Sequence, residues 1–248
     1  MLRPYLLSAS SSIRLCDDLA SIFNDKLLCL NPDFGDAKAE LIEAKGFGTS
    51  GMKQNVISIV YGSDLDVQFG PPTELNKISI KLKCLTFNCN ISILVFSNGS
   101  IRLSSGLRNI SLNNDTDLSN LLRSHSRFLL PFSLDKDIEQ ENFKINILNS
   151  TFDAKVSNVY ALSRFVSACG CNESEATRMG VVLPDPNRGG RIGAARFYLR
   201  AGMKLHIALD NKGKAQIFGA KSISQSIEIM NRLQSCIQSH QMVASSSF

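Results

Sequence analysis

Six basic side chains of the 248-residue chain fall at alternate positions of strand-like runs. They are Lys81 and Lys83 in NKISIKLKCL (76–85), Arg102 in SIRLSSG, Arg196 and Arg200 in IGAARFYLRAG (192–202), and Lys214 in KGKAQIFGAK. Side chains of a strand alternate between its two faces. Alternation therefore sends Ile78, Ile80, Leu82, Ile101, Leu103, Phe197, Leu199, Ala215 and Ile217 to a core. The six cations go to the opposite face with Ser79, Ser100, Ser104, Tyr198, Gln216 and Phe218. A basic, partly apolar sheet face suits a groove flanked by phosphates, where cations neutralise charge and release counterions. Any one of these cations is equally what a solvated face carries; the parallel placement in both halves is what points to phosphate. Asn55 and Asn146 each stand near the start of a β-branched strand. Such an amide is either a turn residue or a donor for the acceptors of a minor groove.

Other chemistries find little support. His125, His206 and His240 lie far apart, and no Ser-His-Asp order, phosphate-binding loop or paired-carboxylate motif stands out. The chain is therefore expected not to be an enzyme and to need no cofactor or small-molecule substrate. Cys84-x4-Cys89 and Cys169-x-Cys171 do not have zinc-knuckle spacing, and no His adjoins either pair. With seven cysteines and no convincing leader, free thiols in a reducing compartment are expected. The Asn-x-Ser/Thr triplets at Asn90, Asn98 and Asn109 are then chance. No aliphatic run is long enough for a membrane span. A net charge of +5 permits a nucleic-acid partner without requiring one.

The elements that must position these residues occur twice. ILVFSNGSIRLSSG (93–106) and HIALDNKGKAQIFGAK (206–221) each read as a hairpin, the first turning on Asn98-Gly99 and the second on Gly213. KQNVISIVYGSDLDV (53–67) precedes one and FKINILNSTFDAKV (143–156) the other. A helix follows each. One carries Leu118, Leu121, Leu122 and Leu129, capped at Asp115 or Thr116; the other starts at Ser222 with Gln225 as a capping box. The spacing predicts helices over 12–28 and 36–45 and a linker over 45–51. The expected organisation is an N-terminal helical extension (1–50), repeats over 51–138 and 139–241, and a short tail (242–248). The fold class is α+β, an antiparallel sheet with helices on one face and the other face free.

In this ordered series the chain resembles the TATA-box-binding protein family, in divergent form. QNV (54–56) resembles the family's QNIV, FKINILNSTFDAKV its FKIQNIV with a following DVKF, and the hairpins its two copies of F-x-S-G-K-x-V-x-T-G-A-K. Asn55 and Asn146 are 91 residues apart, close to the family repeat length. The resemblance implies a pseudo-twofold saddle, helices on its convex back and its underside in the minor groove of A·T-rich double-stranded DNA. Asn55 and Asn146 stand where the family reads the groove, and Phe96 where it kinks DNA. Leu75, Ile192 and Leu209 take the other three kinking positions. Ile57, Leu94 and Leu148 complete the DNA-facing set with Lys81, Lys83, Arg102, Arg196, Arg200, Lys214, Gln216 and Phe218.

There are departures. Phe218 replaces a small residue, Gln216 an apolar one, and 56–75 is too short for the family's usual helix, with Pro71-Pro72 in the way. They imply weaker bending than four phenylalanines would give. The function this implies is transcription initiation: promoter binding, with recruitment of an RNA polymerase subunit or a TFIIB-like factor. Such forms are also encoded by large DNA viruses, so the setting would be a nucleus, or a virus factory or virion. The alternative is a protein-interaction component that has lost TATA recognition.

Overall fold

In a computed structural model the described residues are 1–27, 38–48, 56–60, 75–135, 143–154, 194–198, 206–210 and 213–245. The chain divides into two units, Leu6–Asn146, and Ile147–Phe248 with Met1–Tyr5.

The N-terminal unit is an antiparallel sheet. Its strands are β1 (Arg3–Ser12), β2 (Ala39–Gly48), β3 (Val56–Val60), β4 (Leu75–Cys84), β5 (Cys89–Phe96) and β6 (Ser100–Gly106). They lie in the order β3-β2-β4-β5-β6-β1. Helix α1 (Leu19–Ile22), its π-helical continuation Phe23–Leu27, helix α2 (Asp115–Ser126) and the 3-10 turn Arg127–Phe132 supply the cover. Alternation is clean in the central strands: Ile78, Ile80 and Leu82 of β4, Ile91, Ile93 and Val95 of β5, and Ile101 and Leu103 of β6 are all buried. Leu19, Ile22, Phe23, Leu27, Leu118, Leu121, Leu122, Phe128, Leu129 and Phe132 are buried with them. Each such side chain contributes about 1.5–3 kcal/mol of burial.

Local chemistry fixes the ends. Asp18 caps α1 by accepting from the N–H groups of Ala20 and Ser21. Asn114, rather than Asp115 or Thr116, caps α2 through the Asp117 N–H, and the Asp117 carboxylate accepts in return from the Asn113 N–H. Gly99 closes the β5–β6 turn at φ 78°, a left-handed conformation that disfavours side chains. A Cβ there would also stand 2.2 Å from the Ile13 carbonyl oxygen.

The C-terminal unit is built from β7 (Lys144–Asp153), β8 (Ala194–Tyr198), β9 (His206–Asp210) and β10 (Lys214–Ala220), in the order β7-β10-β9-β8. Helix α3 (Ile223–Ser245) follows β10. The Ser222 hydroxyl accepts from the Gln225 N–H, and the Gln225 amide oxygen accepts from Lys221 N–H, one residue before the expected capping-box donor. In both units the first strand adjoins the last strand of a hairpin, and a long helix follows.

The expected helical extension is corrected. Residues 3–12 form β1, paired with β6, and 39–48 form β2, paired with β4; among the described residues of 1–50 only Leu19–Leu27 is helical. The expected linker over 45–51 is also strand as far as Gly48. Helix α1 and its continuation lie between β1 and β2. QNV therefore does not begin the first strand of this unit, and Val56–Val60 pairs with β2 as an added outer strand.

Candidate nucleic-acid interface

The face of the N-terminal sheet opposite its core is written by register. Phe47, Lys77 and Phe96 form one row across β2, β4 and β5. Lys45, Ser79, Leu94, Arg102 and Ser10 form the next, running on through β6 to β1. Glu43, Lys81, Ser92, Ser104 and Ser8 form the third. Glu40, Lys83 and Asn90 stand in the last.

The first two rows hold aromatic rings beneath cations. The Lys77 ammonium lies 4.5 Å from the centroid of the Phe47 ring, and the Arg102 guanidinium lies 5.6 Å from that of Phe96. Both distances suit a cation over a π-face. Phe47 and Phe96 are half-buried and Arg102 is exposed. An apolar ring and a cation therefore share each location, the pairing needed to stack on a base and contact its phosphate.

The outer rows are matched by carboxylates. Glu43 contacts the ammonium groups of Lys45 and, at 2.5 Å, Lys81. These contacts hold its carboxyl below the usual range, Lys45 first and Lys81 second. Lys83 lies 3.8 Å from Glu40. Toward the other end, the Ser10 hydroxyl donates to the Asn146 amide oxygen at 3.3 Å.

Lys81, Lys83 and Arg102 thus share one face, as alternation predicted, and Leu94 and Phe96, which the resemblance placed in the DNA-facing set, stand on it with them. Leu75 is not free to act there: it is 6% exposed, and its methyl carbons lie 3.0 Å from where a Gly46 Cβ would stand. Leu148 is also corrected; it is fully buried, paired with Ala220 and of the same parity as buried Ser150 and Phe152. Lys214 is exposed opposite Asp153, and Gln216 and Phe218 are half-buried on β10. Arg196 pairs with Ala208, Leu209 with Ala215, and Ile57 with Gly46. Asn55, Ile192 and Arg200 lie outside the described residues.

Sequence reasoning passed over Phe47, Lys77, Glu43 and Lys45. The run EAKGF (43–47) alternates strictly and was the available signal.

Behind the sheet, His125 is buried and donates to or accepts from Ser105 Oγ at 3.1 Å through Nε2; its Nδ1 has no partner. Burial pushes its pKa down to about 4. Cys84 and Cys89 face each other across β4–β5 as buried free thiols, and burial raises the Cys89 thiol. Among the described residues no three His, Cys, Asp or Glu side chains come together to hold a metal, and no helix is long and apolar enough to cross a membrane.

No family model matches the sequence, and no curated protein matches it. Among solved structures, Methanococcus jannaschii TBP matches with a TM-score of 0.50 at 13% identity, over 96% of this chain and 98% of that one. The chain thus has a TBP-like fold with a large antiparallel sheet.

Proposed function

We propose that the open sheet face binds double-stranded DNA in the minor groove, with preference for A·T-rich sequence, and that the protein acts in transcription initiation. The observation that carries this reading is the row Phe47–Lys77–Phe96 with Arg102 above Phe96. Apolar side chains presented by a sheet can enter a base step and unstack it at a cost of a few kcal/mol, while neighbouring cations take the phosphates. A TFIIB-like factor or polymerase subunit would then meet the surfaces that DNA leaves free, and no step of this function calls for catalysis.

The test is fluorescence anisotropy of the full chain with an A·T-rich duplex and a G·C-rich duplex over a range of salt. This reading expects tighter binding to the A·T-rich duplex by about tenfold, near 1.4 kcal/mol, and steep weakening with salt. Absence of binding to either at low salt would reject it.

A second reading is favoured by Glu40 and Glu43: a face that intersperses carboxylates with lysines suits a protein partner better than a polyanion. A stable complex that covers the face, combined with no duplex affinity, would select it.

A further inference from the structure

Glu43 has an unusual position for a face expected to meet phosphate. Its side chain is only 13% exposed, and both carboxylate oxygens are engaged, Oε1 by Lys45 and Oε2 by Lys81. Lys45 and Lys81 are 34% and 51% exposed, so solvent reaches the cations more readily than the anion they enclose. The backbone puts Glu43 there. The β2–β4 register shifts between Leu41 and Glu43, so that Leu41 and Ala44 both face the core and Glu43 turns outward. A bulge of this kind re-aims a side chain, and here it re-aims a carboxylate between two cationic strand positions, Lys45 and Lys81.

We propose that Glu43 is a built-in competitor for phosphate, which withholds Lys45 and Lys81 from a polyanion and so limits the affinity of the β2–β4 half of the face. This rests on the reading of the face as a nucleic-acid surface. For either lysine to take a phosphate it must leave Glu43, and the stripped carboxylate would then lie close to the phosphate chain. The two lysines therefore release few counterions in the native protein, although both belong to the cation count of the face. The sheet needs no such carboxylate for its packing, because the core beneath it is closed by Leu41, Ala44, Ile80 and Leu82.

The experiment is a salt titration of duplex binding by wild type, Glu43→Gln and Asp17→Asn. The last removes one charge from an exposed aspartate in the loop before α1 and controls for net charge. Freeing two lysines should steepen the log–log salt slope by up to about 1.8. The advantage of Glu43→Gln over wild type should then shrink by about tenfold between 50 and 200 mM salt. Lys45→Gln with Lys81→Gln should abolish this gain in the Glu43→Gln background. An unchanged slope in Glu43→Gln, or a gain matched by Asp17→Asn, overturns the proposal. Should wild type bind no duplex, the functional reading fails by itself. Elution from immobilised heparin then decides the role of Glu43: later elution of Glu43→Gln than of Asp17→Asn supports it, and equal elution overturns it. Thermal unfolding checks each variant, and Glu43→Ser, which matches the serines of the neighbouring rows, replaces any Gln variant that does not fold.

Discussion

Lys77 and Arg102 lie over the rings of Phe47 and Phe96, whereas Lys45 of β2 and Lys81 and Lys83 of β4 lie against Glu43 and Glu40. The two regions share a sheet face and a supporting core, and they differ in what a cation gives up when it moves. Leaving a ring costs about 0.5–1 kcal/mol at an exposed site and uncovers an apolar surface that can itself bind. Leaving a carboxylate strands an anion beside the ligand. Cations of one face thus make unequal contributions, and a count of basic residues on a strand face overstates its affinity for phosphate.

The largest expected effect removes both regions together. His125 holds a pKa of about 4 through burial, against about 6.5 for an unfolded imidazole. The folded value is the lower one, so below pH 6.5 the unfolded chain takes up a proton that the folded chain refuses. Stability is complete above about pH 6.5 and falls as the pH drops toward 4, by roughly 3 kcal/mol. Urea unfolding at pH 7 and 4.5 should show this loss in wild type, and His125→Gln should lack that share of it.

The comparison itself is tested by the face variants. Phe47→Ala with Phe96→Ala should weaken A·T-duplex binding by roughly fiftyfold, at ~1–1.5 kcal/mol per ring. The midpoint of thermal unfolding should move little, because neither ring belongs to the core. Arg102→Ala should cost about tenfold and flatten the salt slope by about 0.9, one phosphate. Lys81→Gln with Lys83→Gln should cost less than Arg102→Ala alone and leave the salt slope nearly unchanged, since both cations already face carboxylates. Equal losses for Arg102 and for the Lys81/Lys83 pair, measured by anisotropy, would erase the distinction between the regions.

How far these regions were legible depends on the regularity of each strand. β4, β5 and β6 alternate without a break, and Asn98-Gly99 marks their turn, so the faces of Lys81, Lys83 and Arg102 followed directly. β2 did not read as a strand because its bulge spaces Leu41 and Ala44 three apart, the spacing of a helix. The half of the face that carries Phe47 and Glu43 was hidden by that one inserted residue. β1 was hidden by composition: Ser8, Ser10, Ser11 and Ser12 have weak strand preference, and only pairing with β6 defines them. Anchoring β7 on Asn146 inverted its parity and placed Leu148 outward, although Leu148, Ser150 and Phe152 alternate into the core. The resemblance gave the fold through the order of its elements while misplacing the first strand, because QNV is a short signal and the strand that takes its place carries no such motif.

The central claim is that the aromatic row enters the duplex. It is tested most directly by 2-aminopurine fluorescence in an A·T-rich duplex titrated with wild type and with Phe47→Ala/Phe96→Ala. Unstacking of a base step predicts a rise in fluorescence with wild type that is lost in the double variant at saturating protein. Saturation of wild type with no rise, or a rise that persists without both rings, would contradict it.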